Sequence, residues 1–175
     1  VTLFSWAGFA YAFKYLWTPL VDNYKLPIFK KFGHRRSWLL FSQFLIIIAL
    51  ILTAFTDPKE SLFFTALFIT ILAFFSATQD ILIDAFRIES APQSLQGPLS
   101  SMYIAGYRIA MLVAGAGSLW LASFFGTEIY DQNVWKKVYL IMSLFMFVGV
   151  FATFISDEPK LKRNLNSDNH VKFLI

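Results

Sequence analysis

WLLFSQFLIIIALILTAFT, residues 38–56, runs for nineteen positions without a charged side chain and stops at Asp57-Pro58. A helix needs about 20 mostly apolar residues to cross the hydrocarbon of a bilayer, whereas a buried helix in a soluble core seldom has more than about 14 in a row. Four stretches of the same kind flank it, at residues 3–21, 61–83, 99–125 and 138–156. The gaps carry helix breakers: Pro27 and Gly33, then Asp57-Pro58, then Pro92 with Gly97-Pro98, then Gly126. The expected fold is all-α, a polytopic transmembrane bundle over residues 1–156 with a polar tail, residues 157–175, that reads as a linker.

Composition agrees: 57% of the 175 residues are hydrophobic and 15% charged, against about 45–50% and about 25% in soluble domains. Cysteine is absent, which excludes a disulfide framework, a thiolate nucleophile and a Cys-based metal site. His34 and His170 are isolated in polar segments, so no metal-ligand spacing is present. Gly115-Ala116-Gly117 lies inside an apolar run and is no phosphate loop. Enzyme chemistry has no motif to rest on, and no cofactor or nucleic-acid partner is expected.

Lysine and arginine set the expected orientation, because cytoplasmic loops hold their excess. The first loop has Lys25, Lys30, Lys31, Arg35 and Arg36, the third Arg87, and the tail Lys160, Lys162, Arg163 and Lys172. The other side has only Lys59, Lys136 and Lys137. The first loop and the tail are therefore expected in the cytoplasm. Five spans would then leave the N-terminus outside, and no basic leader region precedes residue 3, so one further preceding span is expected; a five-span chain is the alternative.

Charges within the spans are costly, at roughly 2.5–3.5 kcal/mol at mid-membrane. Asp80, Asp84 and Arg87 share one face of the third span. Asp84, Arg87 and Glu89 are expected near the cytoplasmic headgroups, with Asp84 and Arg87 exchanging charge with the basic first loop. Asp80 lies about one turn deeper, either as an ion-pair anchor or as a carboxylate able to carry a coupling proton. Arg108, about ten residues into the fourth span beside Tyr103 and Tyr107, needs an anion: Asp80 or Asp84, or a substrate carboxylate. Lys14 either snorkels to the headgroups or binds substrate. Trp6, Trp17, Trp38 and Trp135 fit an interfacial belt, the favoured reading for the tryptophans, although Tyr11, Tyr15 and Trp17 could also line a cavity for a sugar-like ligand. Gly106, Ala110, Ala114, Ser118 and Ala122 form a smooth stripe on which another helix is expected to pack closely.

Two segments carry a resemblance. Trp17-Thr18-Pro19-Leu20-Val21-Asp22, followed by Gly33-His34-Arg35-Arg36-Ser37-Trp38, resembles the loop between the second and third helices of the major facilitator superfamily, with an extra Pro-containing insert. AFFSATQDILIDA, residues 73–85, with Gly106-Tyr107-Arg108, Gly115 and Glu158-Pro159, resembles the AmpG muropeptide permeases of that superfamily. Asp80, Asp84 and Arg108 fall on matching family positions. The resemblance implies that the five spans are equivalent to helices two to six of the amino-terminal half. It also implies import of anhydromuropeptides, the disaccharide-peptide fragments of cell-wall turnover, across the bacterial inner membrane by proton symport.

Acetyl-coenzyme A transporters share parts of these motifs and form the alternative substrate class. Superfamily transporters set two six-helix halves around a midplane site, so a subunit needing a separately encoded carboxy-terminal half, or a non-transporting remnant, is the competing reading. The expected substrate and proton pathway comprises Asp80, Arg108, Lys14, Tyr107 and Gln79, with Asp80 and Arg108 as its buried pair. The expected cytoplasmic gate comprises Asp22, Arg35, Arg36, Asp84 and Arg87.

Overall fold

A computed structural model describes residues 4–24, 26, 32–126 and 130–159. The start of the first span, Lys25, Pro27, Lys30 and Lys31 of the first loop, and the tail from Lys160 with His170 lie outside the described residues. The described chain is helical with no strand: α1 Ser5–Ala12, a 3₁₀ turn Lys14–Leu16, α2 Thr18–Asn23, α3 His34–Ala54, α4 Leu62–Ser90, α5 Gln96–Leu112, a π turn Val113–Gly117, α6 Ser118–Phe125 and α7 Gln132–Ile155.

Four of these segments are long and apolar enough to cross a membrane: His34–Ala54, Leu62–Ser90, Gln93–Phe125 and Gln132–Ile155. The expected span at 3–21 is instead a broken helix, and Pro19 gives the reason. In a continuous helix Pro19 would have no N–H for the Tyr15 carbonyl and its ring would crowd that oxygen. The chain therefore tightens to a 3₁₀ turn over Lys14–Leu16 and restarts at Trp17, with Pro19 inside the first turn of α2 where no intrahelical N–H is needed.

The third span also departs from expectation, running on to Ser90 rather than ending near residue 83. Its 29 residues at about 1.5 Å each give roughly 44 Å, against about 30 Å of hydrocarbon. The stretch bearing Asp84, Arg87 and Glu89 therefore extends beyond the apolar layer while remaining helical. It stops where Ala91 turns extended ahead of Pro92, as pre-proline sterics require.

Helix α3 is the hub, packed on α4 along one side and α7 along the other. Its buried face includes Trp38, Leu39, Leu40, Ile46, Ile47 and Ala49. Near its start, Val21, Trp38, Leu39 and Leu82 form a core cluster against which Trp17, Phe41 and Phe86 pack. Small residues allow the close crossings: Ala49, Ala66 and Ala77 are almost wholly buried. One buried polar tie joins α3 to α7, the Gln43 amide donating to Thr153 Oγ1 at 2.9 Å.

Candidate functional site

Two polar assemblies stand out against this apolar background. The first surrounds Asp80, about ten residues or roughly 15 Å from the end of α4. Lys14 Nζ meets Asp80 Oδ2 at 2.7 Å, and the Tyr103 hydroxyl donates to Oδ1 at 2.9 Å. Two separate elements thus converge on one carboxylate of α4. The break at Pro19 helps to set this up, because Lys14 occupies the 3₁₀ turn that the break creates. The neighbouring Trp17 is fixed over α4 by its indole N–H on Thr78 Oγ1 at 3.1 Å. Tyr11 of α1 lies within electrostatic range of Asp80, Lys14 and Tyr107.

Arg87 stands one turn beyond Asp84, bonded to it at 3.4 Å and to the Ser100 hydroxyl of α5, with its guanidinium 5.6 Å from the centre of the Tyr103 ring. Asp84 and Arg87 therefore pair with each other, and Arg87 also with α5; the expected exchange with the first loop does not form among the described residues. The expected Asp80–Arg108 pair is absent as well. Arg108 is exposed and has no salt bridge among the described residues. Helical phase explains it: at about 100° per residue, Tyr107 lies about 40° from Tyr103 but Arg108 about 140°, so the face that meets Asp80 cannot also present Arg108. Tyr107 is exposed, Gln79 is half-buried, and neither side chain makes a hydrogen bond among the described residues.

The second assembly knots the start of α3 to α2, α4 and the end of α7. Arg35 is buried at 6% exposure, with Nη1 on Asp22 at 2.5 Å and Nη2 and Nε on Glu89 at 2.6 and 3.1 Å. A planar guanidinium can serve two carboxylates in this way, whereas an ammonium cannot fork. Arg36 donates to the Thr153 and Phe154 carbonyls at 3.0 and 2.8 Å, groups that the end of α7 leaves unpaired. In return, Glu158 accepts from the Arg35 and Arg36 backbone N–H groups at 2.8 and 3.1 Å, placing an anion on the positive end of α3. Gly33 permits the approach: its φ is 91°, and a Cβ there would overlap the Glu158 side chain.

Asp22, Arg35 and Arg36 thus lie together, while Asp84 does not join them; Glu89, five residues further along α4, takes the place expected for it. Glu89, Glu158 and Tyr103 are the site residues that the sequence reading names without assigning them to the pathway or the gate. Their signals were a carboxylate past the apparent end of a span, an acid directly after the last span, and a tyrosine one turn from Tyr107.

The small-residue stripe is likewise unlike its expectation. Gly106, Ala110, Ala114 and Ser118 face a cavity of about 690 Å³, with Ile46, Leu72 and Met142 opposite, and a Cβ on Gly106 would meet nothing within 4 Å. At the far end of the bundle the Tyr130 hydroxyl donates to Asp57 at 3.1 Å and Lys59 sits 4.7 Å over its ring. Burial and the adjacent Asp57 carboxylate push the Tyr130 phenol above its ordinary value. Among the described residues no three His, Cys, Asp or Glu side chains gather as a metal site.

The profile of the Major Facilitator Superfamily matches residues 1–174. The chain belongs to that superfamily, in its AmpG-type branch. It is 35% identical over 177 residues to "Putative transporter AmpG 4" of Rickettsia felis, covering 99% of this chain and 41% of that one. It is 36% identical over 160 residues to "Anhydromuropeptide permease" of Escherichia coli K12, covering 91% and 30%. "Putative transporter AmpG 3" of Rickettsia prowazekii is 37% identical over 170 residues, covering 94% and 38%. The chain thus spans about two fifths or less of the length of the curated relatives it matches. For this superfamily member the four long apolar helices make it a multi-pass membrane protein.

Proposed function

We propose that this chain forms part of the amino-terminal bundle of an AmpG-type transporter that imports anhydromuropeptides by proton symport, working with a carboxy-terminal half. The observation that carries the reading is the Lys14–Asp80 ion pair, set within the apolar part of the bundle. In hydrocarbon surroundings such a pair persists only because each charge has the other. A proton on Asp80 removes one charge and leaves the Lys14 ammonium seeking an anion. A carboxylate on the peptide part of the substrate fills that place, so proton and anionic substrate favour each other's binding. Gln79 and Tyr107 line the path beside the pair, and Arg108, on the other face of its helix, offers a second cation to a substrate carboxylate. The Asp22–Arg35–Glu89 network, with Arg36 and Glu158, clamps the end of the bundle that faces the cytoplasm across the inner membrane.

The test is uptake of labelled anhydromuropeptide by bacteria lacking their own permease, expressing this chain alone or with a relative's carboxy-terminal half. Uptake abolished by a proton uncoupler is expected, and Asp80→Asn is expected to retain binding while losing proton-driven accumulation. Accumulation that persists in Asp80→Asn rules out Asp80 as the proton site. Uptake indifferent to the uncoupler rules out symport.

A further inference from the structure

The fourth span, Gln93–Phe125, is the least enclosed of the long helices, with none of its residues buried. Its second half leans on the start of α7, where Gly126 lies close against Val134. Its first half touches α4 through polar side chains: Tyr103 on Asp80, Ser100 on Arg87, and the Arg87 guanidinium over the Tyr103 ring. Between these two ends of the span lies the cavity of about 690 Å³. The span lines it with Gly106, Ala110, Ala114 and Ser118 beside the larger Ile109 and Val113, so most of that face is small and the open volume leaves room for the span to shift. A π turn at Val113–Gly117 interrupts the regular bonding midway, a feature frequent at functional sites in helices.

The two ties to α4 respond differently to protons. Arg87 keeps its charge, so its bond to Ser100 does not change. Tyr103 donates to a carboxylate, and a hydrogen bond to an ionised acceptor is roughly twice as strong as one between neutral groups. We propose that Tyr103 is a positioning residue that reports the charge of Asp80 to the fourth span. While Asp80 is ionised its bond holds the first half of the span against α4, and when Asp80 takes a proton the bond weakens and the span shifts across the cavity.

The charged and titratable groups around Asp80 fit this assignment. They are Lys14 from the 3₁₀ turn, Tyr11 from α1, Tyr103 from α5, with Tyr107 close to Tyr11, and Asp84 and Arg87 further along α4. Lys14 favours the ionised, tied state, and its capture by an anionic substrate favours the protonated, released one. The inference rests on Asp80 as the proton acceptor, and it adds the element that moves in response.

The chain has no cysteine, so paired spin labels can be placed without background. Phe44→Cys on α3 and Met102→Cys on α5 are both at exposed positions. The full chain in lipid nanodiscs is measured by pulsed electron resonance from about pH 8 to about pH 4. The parent is expected to move from one distance population to another, and Asp80→Asn to show the low-pH population throughout. Tyr103→Phe should lose the pH response, whereas Ser100→Ala should keep it and Asp80→Glu should shift its midpoint. A pH response that survives Tyr103→Phe overturns the proposal, as does a parent with no response while uptake remains uncoupler-sensitive. If Tyr103→Phe lowers helical content, Asp80→Asn alone decides: a pH response in that variant also overturns it. Loss of uncoupler sensitivity, by contrast, strikes at proton coupling itself.

Discussion

The Glu158 side chain occupies the space where Gly33 would carry a Cβ. From there its carboxylate takes the first free N–H groups of α3, while Arg36, rising from that same turn, takes the last free carbonyls of α7. Each helix end has unpaired backbone groups and a partial charge of its own sign. The two ends are thus satisfied reciprocally, each by a side chain from the other's neighbourhood. Arg35 adds the lateral ties to α2 and α4, so one helix start fixes three other elements.

Gly33→Ala is expected to cost about 1–3 kcal/mol of stability, because φ of 91° with ψ of −179° belongs to a region open essentially to glycine alone. Displacing Glu158 from the helix end adds to that cost. Thermal unfolding of the purified chain in nanodiscs measures it. If Gly33→Ala unfolds at the parent's temperature, the proposed contact does not hold the helices together.

Arg35→Lys should be damaging despite keeping the charge. An ammonium can satisfy one carboxylate here and leaves the other without its partner. The side chain of Glu89 is 21% exposed and that of Asp22 41%, so lysine is expected to keep Glu89 and release Asp22 to water. The loss should be about 1–2 kcal/mol, with Glu89→Gln costing more than Asp22→Asn. The opposite order would show that exposure does not govern the network.

How far the sequence led is clearest at these same residues. Mostly apolar runs near the length of a bilayer mark the four long helices, since hydrophobic length is a local property. The break at Trp17 follows from Pro19, whose effect the apolar run around it masks in the sequence. Partner choice was harder, because it depends on helical phase and on where helices end. Asp84 was paired with the first loop because α4 was ended near residue 83; seven more helical residues bring Glu89 to Arg35 instead. Arg108 was paired with Asp80 by depth alone, whereas its phase on α5 points elsewhere and leaves Asp80 to Lys14. Glu158 lay beyond the last span, where spacing gives no hint that the chain turns back to α3.

Lys14→Met should be worse than the double change Lys14→Met with Asp80→Leu. Removing one partner strands a charge in apolar surroundings, while replacing both leaves neither unpaired. The pair is not fully enclosed by the protein, at 18% and 29% exposure, and Tyr103 still donates to Asp80, so the single change should cost about 2 kcal/mol rather than the 3–5 kcal/mol of a fully buried pair. A thermodynamic cycle in nanodiscs gives both values. A double variant less stable than Lys14→Met would mean that Asp80 is held by Tyr103 rather than by its ion pair.

At the opposite end of the bundle, Tyr130 links the loop between α3 and α4 to the segment before α7 through its bond to Asp57. Its phenol is pushed up from 10 by burial and by that carboxylate, since ionisation would set two anions side by side and remove the donated proton. A raised folded-state value means that the neutral phenol contributes stability below about pH 10 and that this contribution disappears as pH rises through the folded value. Ultraviolet titration of the chain against Tyr130→Phe isolates this phenol, and Asp57→Asn should bring its midpoint back toward 10. Unfolding temperature followed from about pH 8 to about pH 11 should fall more steeply for the parent than for Tyr130→Phe. Equal slopes would mean that the Tyr130–Asp57 bond does not hold these two segments together.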